Sequence, residues 1–157
     1  MLTRKARLLL SLTAATPLVF AACTDNSLLG PYGDVAGTYQ LTVFAGATPP
    51  ITFTYPPGQF SVIPNGGTIT WTDGTMELRS DGTFTERNDY SYRDNQGQTG
   101  ASVYVSSGTF TVNGTDFTLS TSAQQGGRFA TGTIGVDRIN YNEDNGDGTT
   151  SAFEYIR

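Results

Sequence analysis

The side chains with most chemistry to offer in this 157-residue sequence sit in two places. The first is the run Thr83 to Tyr92, where a two-residue period puts Phe84, Glu86, Asn88, Tyr90 and Tyr92 on one face. Two polar groups therefore share the side expected to turn inward. A buried carboxylate without a partner is costly, so Glu86 either meets an arginine such as Arg128 or Arg138, faces a wet cavity, or lies on an exposed segment beyond a bulge. With Trp71, the residues of that face form one expected ligand-lining set; for Trp71 the plain alternative is core packing. The second place is Glu143 to Glu154, which puts Glu143, Asn145, Asp147, Gly148 and Glu154 at the spacing of a calcium loop. Its flanks read as strands rather than helices. Any calcium would then be held within one hairpin loop by Glu143, Asp144, Asn145 and Asp147, and the alternative is an acidic turn whose Asp and Asn serve backbone geometry.

Catalysis has few other groups to draw on. The chain contains no histidine, which excludes Ser-His-Asp and Cys-His arrangements and histidine metal ligands. No Gly-x-Ser-x-Gly or phosphate-binding loop is present. Glu77, Glu86 and Asp89 leave a carboxylate-based hydrolase as the remaining enzymatic reading. Acids on a sheet are usually surface charges, however, so the expectation is no enzyme, no catalytic residue, and no cofactor apart from the calcium already considered.

These groups need a framework, and the framework begins after a leader. Residues 1–22 carry Arg4, Lys5 and Arg7, then an apolar stretch of about 15 residues relieved by Ser11, Thr13, Thr16 and Pro17, which is the order of a secretory signal. A membrane-spanning helix needs roughly 20 mainly apolar residues, so a span is not expected. Phe20, Ala21, Ala22 and Cys23 resemble the lipobox of bacterial lipoproteins, with Phe where that family usually has Leu. The resemblance implies cleavage before Cys23, acylation of that cysteine, and the lipid bilayer as a partner. Thr24 after the cysteine, in place of Asp, implies sorting to the outer membrane of the cell envelope. The alternative is an ordinary secretory signal followed by a chance cysteine.

Residues 23–34 (CTDNSLLGPYGD) read as a polar tether, and residues 35–157 as one domain. Beyond residue 22 the chain keeps six arginines, no lysine and all fourteen acidic residues, a net charge of −8. That balance disfavours nucleic acid and anionic lipid head groups as partners. With a single cysteine there is no internal disulfide, so core burial and sheet hydrogen bonds must hold the domain.

From Val35 onward Thr, Gly, Phe and Tyr dominate, with 25 threonines in the whole chain, and alternation replaces any helical period. The predicted strands are Gly37 to Phe44, with Tyr39, Leu41 and Val43 on one face; Ile51 to Tyr55; Gly67 to Trp71; Thr75 to Arg79; Thr83 to Tyr92; Ala101 to Val112 as one strand or two; Asp116 to Thr121; Arg128 to Ile134; Val136 to Asn142; and Ser151 to Arg157. Asp73-Gly74, Asp81-Gly82 and Asn113-Gly114 are the expected hairpin turns, and Arg93 to Gly100 and Ala123 to Gly127 the expected loops. Eight to ten short strands joined to their sequence neighbours predict an all-β, up-and-down antiparallel barrel, because open edges invite aggregation. A β-sandwich is the competing architecture.

The two ends of the domain resemble the lipocalin and fatty-acid-binding-protein group. Gly37-Thr38-Tyr39 stands where that group has Gly-x-Trp, and Arg157 follows Phe153 and Tyr155 in the last strand. The resemblance implies that Arg157 packs across Tyr39 beside Gly37 to close one end of a lipocalin-like barrel. The repeated Gly-Thr-Phe/Tyr and Asp-Gly-Thr runs are also similar to those of small lipocalin-like bacterial lipoproteins. The functional expectation is a lipid-anchored, monomeric barrel that binds a small apolar or amphipathic molecule or is simply filled. The alternatives are an envelope structural or interaction protein without a pocket, and the carboxylate hydrolase. A cavity of ~300 Å³ or more would favour the first, an exposed apolar patch over a packed interior the second, and two convergent carboxylates in a cleft the third.

Overall fold

A computed structural model describes residues 32–122, 127–144 and 148–157. The strands are β1 (Gly37–Phe44), β2 (Ile51–Tyr55), β3 (Gly67–Leu78), β4 (Thr83–Asp94), β5 (Thr99–Asn113), β6 (Asp116–Thr121), β7 (Phe129–Ile134), β8 (Arg138–Asp144) and β9 (Thr150–Ile156). All pairings are antiparallel, and from β3 to β9 each strand pairs with the next in sequence. β1 closes the ring: Gly37 to Gln40 pair with β3, and Gln40 to Phe44 pair with β9. The domain is therefore an up-and-down barrel of eight strands with β2 as an extra, ninth strand. No sandwich is formed, and no α-helix occurs among the described residues.

The ring closes over only part of its height. β3 shares one edge between two neighbours, pairing β2 through Gly67 to Trp71 and β1 through Thr75 to Leu78. β5 pairs β4 from Thr99 to Thr109 but meets β6 only from Gly108 to Asn113. As a result β2, the first part of β3, the last part of β4 and the first part of β5 continue as a four-stranded wall above one side of the ring. The unbroken alternation of β4 carries the inner face of the ring (Phe84, Glu86, Asn88) directly into that wall (Tyr90, Tyr92).

Two bulges account for departures from the predicted pattern. Asp73-Gly74 is not a hairpin turn: β3 runs through it, with a register shift between Trp71 and Asp73. A primed turn needs positive φ, which Gly74 does not adopt. Its lack of a side chain serves packing instead, since a Cβ there would stand 2.2 Å from Asn88 Oδ1 and 2.9 Å from the Leu41 side chain. In β1 the register shifts between Leu41 and Val43, and the Thr42 hydroxyl donates to Glu154 Oε1 at 3.0 Å. The extra residue puts Phe44, rather than Val43, in line with Tyr39 and Leu41 against the core.

The other turns are local. Asp81 and Gly82 (φ +85°) turn β3 into β4. At the β5–β6 hairpin Asn113 is the last paired residue, and Gly114 (φ +63°) takes the first central position, with no positive φ at Thr115. That is the type II′ arrangement. The loop expected from Arg93 to Gly100 shrinks to a tight turn because the Asp94 carboxylate accepts the backbone N–H groups of Gln96 (2.9 Å) and Gln98 (2.7 Å).

The lower interior is filled by Tyr39, Met76, Leu78, Phe84, Phe110, Phe117, Leu119, Ile134 and Ile139, all buried. Each such side chain contributes roughly 1.5–3 kcal/mol on burial, so this layer holds the ring shut. Tyr32, placed within the expected tether, lies against Phe110 with ring centroids 4.8 Å apart, and covers the base from below.

Candidate functional site

Three layers stack along the barrel axis: a sealed base, a buried polar layer and an open mouth. At the base, the Arg157 guanidinium lies 5.3 Å above the Tyr39 ring and donates to the backbone carbonyls of Ala36 (2.9 Å), Asp34 (3.3 Å) and Val136 (2.6 Å). A Cβ on Gly37 would stand 3.0 Å from Arg157 Nη1, so the glycine gives the guanidinium its room. The three residues expected at the barrel closure thus meet at this end.

The middle layer centres on Glu86, which is fully buried. Its Oε1 accepts from Tyr155 Oη (2.6 Å), Tyr141 Oη (2.8 Å) and Asn88 Nδ2 (3.2 Å), and its Oε2 accepts from Arg128 Nη1. Arg128 Nη2 donates to Tyr141 Oη at 2.9 Å. Arg128 Nε lies 2.6 Å from Glu143 Oε1, yet the N–H bond is not aimed along that line, so this contact is Coulombic rather than a hydrogen bond. The guanidinium stacks on Tyr141 and Phe153, 5.7 Å from each ring centroid.

Burial alone would raise the Glu86 carboxyl, but the Arg128 charge and the hydrogen bonds from Arg128, Tyr155 and Tyr141 outweigh it and hold the group below the ordinary value. Burial, joined by the Glu86 charge, pushes the Tyr141 and Tyr155 phenols well above theirs. Glu143 is raised, chiefly by burial, with the Arg128 charge acting against it.

Above this layer the mouth opens into a cleft of about 570 Å³. One side is the raised wall, contributing Phe53, Tyr55, Trp71 and Tyr104, with Phe60 from the loop after β2. The opposite rim contributes Glu143, Asp144, Ser151 and Phe153, and Asn88 and Arg128 form part of the floor. Phe44 stands at the junction, with its ring centroid 4.7 Å from Phe153, 5.4 Å from Phe53 and 5.4 Å from Trp71. The β1 bulge is what brings it there. The indole N–H of Trp71 is buried and has no hydrogen-bond partner among the described residues, and burial raises the neighbouring Tyr55 phenol.

Of the expected lining set, Trp71 and Asn88 reach the cleft. Phe84 and Glu86 lie beneath it, Phe84 in the core and Glu86 in the polar layer. Tyr90 packs on Trp71 at 5.3 Å between centroids, and Tyr92 crosses over Gly100; both are half-buried in the wall. Sequence reading missed Phe44, Phe53, Tyr55, Phe60, Tyr104 and Phe153. The alternation Ile51, Phe53, Tyr55 was the available signal, because it marks one apolar face on β2. Glu77 and Asp89, the other candidate acids, sit on the outer face beside Arg79 (2.5 Å) and Arg87 (2.8 Å) and do not line the cleft. Of the expected calcium ligands, Glu143 is paired with Arg128 and Asp144 lies on the cleft rim, while Asn145 and Asp147 fall outside the described residues, as does Cys23. Among the described residues no three His, Cys, Asp or Glu side chains come together as a metal site.

The fold and site define a class: an eight-stranded antiparallel barrel with a sealed base and an aromatic-walled open mouth. No family model, no curated protein and no solved structure matches the chain.

Proposed function

We propose that this protein is an envelope lipoprotein whose lipocalin-like barrel binds a small amphipathic molecule in the mouth cleft. The observation that carries the reading is the contrast between a filled base and a cleft of about 570 Å³ walled by seven aromatic side chains and floored by polar groups. That volume falls within the roughly 300–1,000 Å³ of small-molecule sites, and apolar walls with a few placed polar groups are their usual make-up. The basic, apolar and small-residue sequence before Cys23 supports the anchor, with acyl chains on that cysteine holding the domain at the outer membrane. Glu86 serves structure rather than catalysis, since four donors occupy its carboxylate.

Native mass spectrometry of the protein purified from its own host tests the reading: a co-purifying small molecule of constant mass, lost on Trp71→Ala, is expected. A bare protein mass across preparations, with no small amphipath able to change Trp71 fluorescence, contradicts it. Intact mass of the mature chain tests the anchor, with acylation on Cys23 expected and an unmodified cysteine contradicting it.

A second reading, an envelope interaction protein, is favoured by one observation. The first half of β5 has β4 as its only strand partner among the described residues, and Val103, Tyr104 and Val105 are exposed along it. Such an edge can accept an added strand from a partner.

A further inference from the structure

The raised wall ends in two edge strands, and only one of them is guarded. β2 spans five residues between Pro49-Pro50 and Pro56-Pro57, a short edge with no backbone N–H to offer at either end. The first half of β5 has no such protection: from Thr99 to Thr109 there is no charged residue, no proline and no register shift against β4. Val103, Tyr104 and Val105 are 36%, 41% and 57% exposed along it. In a chain of net charge −8 beyond residue 22, this uncharged run lets two copies approach without like charges meeting.

The sequence of the edge points to its occupant. Thr99 to Thr109 (TGASVYVSSGT) reads the same in both directions about Tyr104, apart from Ala101 and Ser107. Two antiparallel copies related by a two-fold axis at Tyr104 therefore set Val103 against Val105 of the second copy, and Ser102 against Ser106 of the second copy, in both halves of the seam. Valine and hydroxyl pairs of this kind are favourable across antiparallel strands. A two-fold contact also closes on itself, and the prolines around β2 oppose further growth from the other edge.

We propose that this edge of β5 pairs with the same edge of a second copy, so that two walls join into one eight-stranded antiparallel sheet in place of the monomer expected from the sequence. The step rests on the open edge of the second reading and not on the ligand. Tyr104 lines the cleft, so the two clefts adjoin at the seam, and each gains wall from the other copy where β6 stops short. β5 runs from the mouth toward the base, where Phe110 meets Tyr32, so antiparallel pairing points the two bases to opposite ends. Copies anchored as proposed above then meet from facing membrane surfaces.

Sedimentation equilibrium of the full chain in density-matched detergent is expected to show one chain passing to two, and no further, over roughly 10 µM to 1 mM. Val103 and Val105 lie on the exposed outer face, so charges placed there spare the core. Val103→Lys with Val105→Lys sets like charges against each other across the seam and is expected to weaken the pair at least about tenfold. Val103→Lys with Val105→Glu sets opposite charges together and is expected to keep it. Equal association of the two variants, or an unaltered chain that stays single, overturns self-pairing and leaves the second reading to a different strand. Slow exchange of every amide from Ser102 to Ser106 in the single chain means the edge is already covered, and overturns both. In phosphatidylcholine vesicles the chain is expected to cluster them and the double-lysine variant is not; a pair in detergent without clustering overturns the facing-membrane arrangement.

Discussion

Glu86 shows how the cost of burying a charge dictates what a residue must have around it. Its position on an alternating apolar face raised the need for a partner, and Arg128 supplies it together with two tyrosine hydroxyls and Asn88. Removing one partner of a buried ion pair leaves the other uncompensated, so Glu86→Gln is expected to cost about 3–5 kcal/mol in urea unfolding. The pH dependence follows from the directions of the shifts. Glu86 is held below its ordinary value, so the stability it confers is present above the ordinary carboxylate range and is lost as pH falls through its lowered folded value. Glu143, raised by burial, works in the opposite sense and offsets part of that loss. Tyr141 and Tyr155 are raised, so their contribution is intact below the ordinary phenol value near 10 and disappears as pH climbs toward their higher folded values. Denaturant midpoints measured across pH should show both limbs, with Glu86→Gln flattening the acid one and Tyr141→Phe the alkaline one. That an arginine, Arg128 or Arg138, could be the partner was legible in the sequence because charge burial demands one; the choice of Arg128 and the two tyrosines were not, since they depend on which residues of β7, β8 and β9 reach the same height in the barrel.

At the level of elements, the strands were readable wherever alternation and turn chemistry agreed, as for β1, β2 and β6, whose limits the pattern gave directly. Asp73-Gly74 carried a hairpin signal that tertiary packing overrode, because Leu41 and Asn88 close over a glycine that keeps an ordinary φ. The two kinds of glycine separate experimentally. Gly74→Ala puts a Cβ 2.2 Å from Asn88 Oδ1 and is expected to cost ~1–3 kcal/mol by overpacking, with a disturbed Asn88 amide resonance. Gly114→Ala meets nothing within 4 Å but forces positive φ on an L side chain, at about 1–2 kcal/mol. Equal losses with no change at Asn88 would contradict the packing account of Gly74. The bulges themselves were invisible, since one extra residue leaves no mark in a Thr-rich alternation, and with them went the placement of Phe44.

For the whole molecule, barrel closure followed from strand count and the need to cover edges, whereas the site depended on how high each strand climbs past the ring. That height is set by strand length and register between partners, and neither is encoded locally. It also separates stability from binding. Arg157 seals the base from the opposite end, so Arg157→Ala is expected to lower stability by about 1–2 kcal/mol through lost carbonyl and ring contacts while leaving probe affinity at the mouth unchanged.

The central claim, that the mouth is a binding cleft above a filled base, is tested most directly by side-chain NMR during separate titrations with three small aromatic amphipaths: benzyltrimethylammonium, phenethyl alcohol and phenylacetate. The account predicts saturable shifts at the Trp71 indole and the rings of Phe44, Phe53 and Phe153, with Phe84 and Phe117 in the base unmoved. Shifts spread over the base rings, or none at the mouth with any of the three probes, would contradict it.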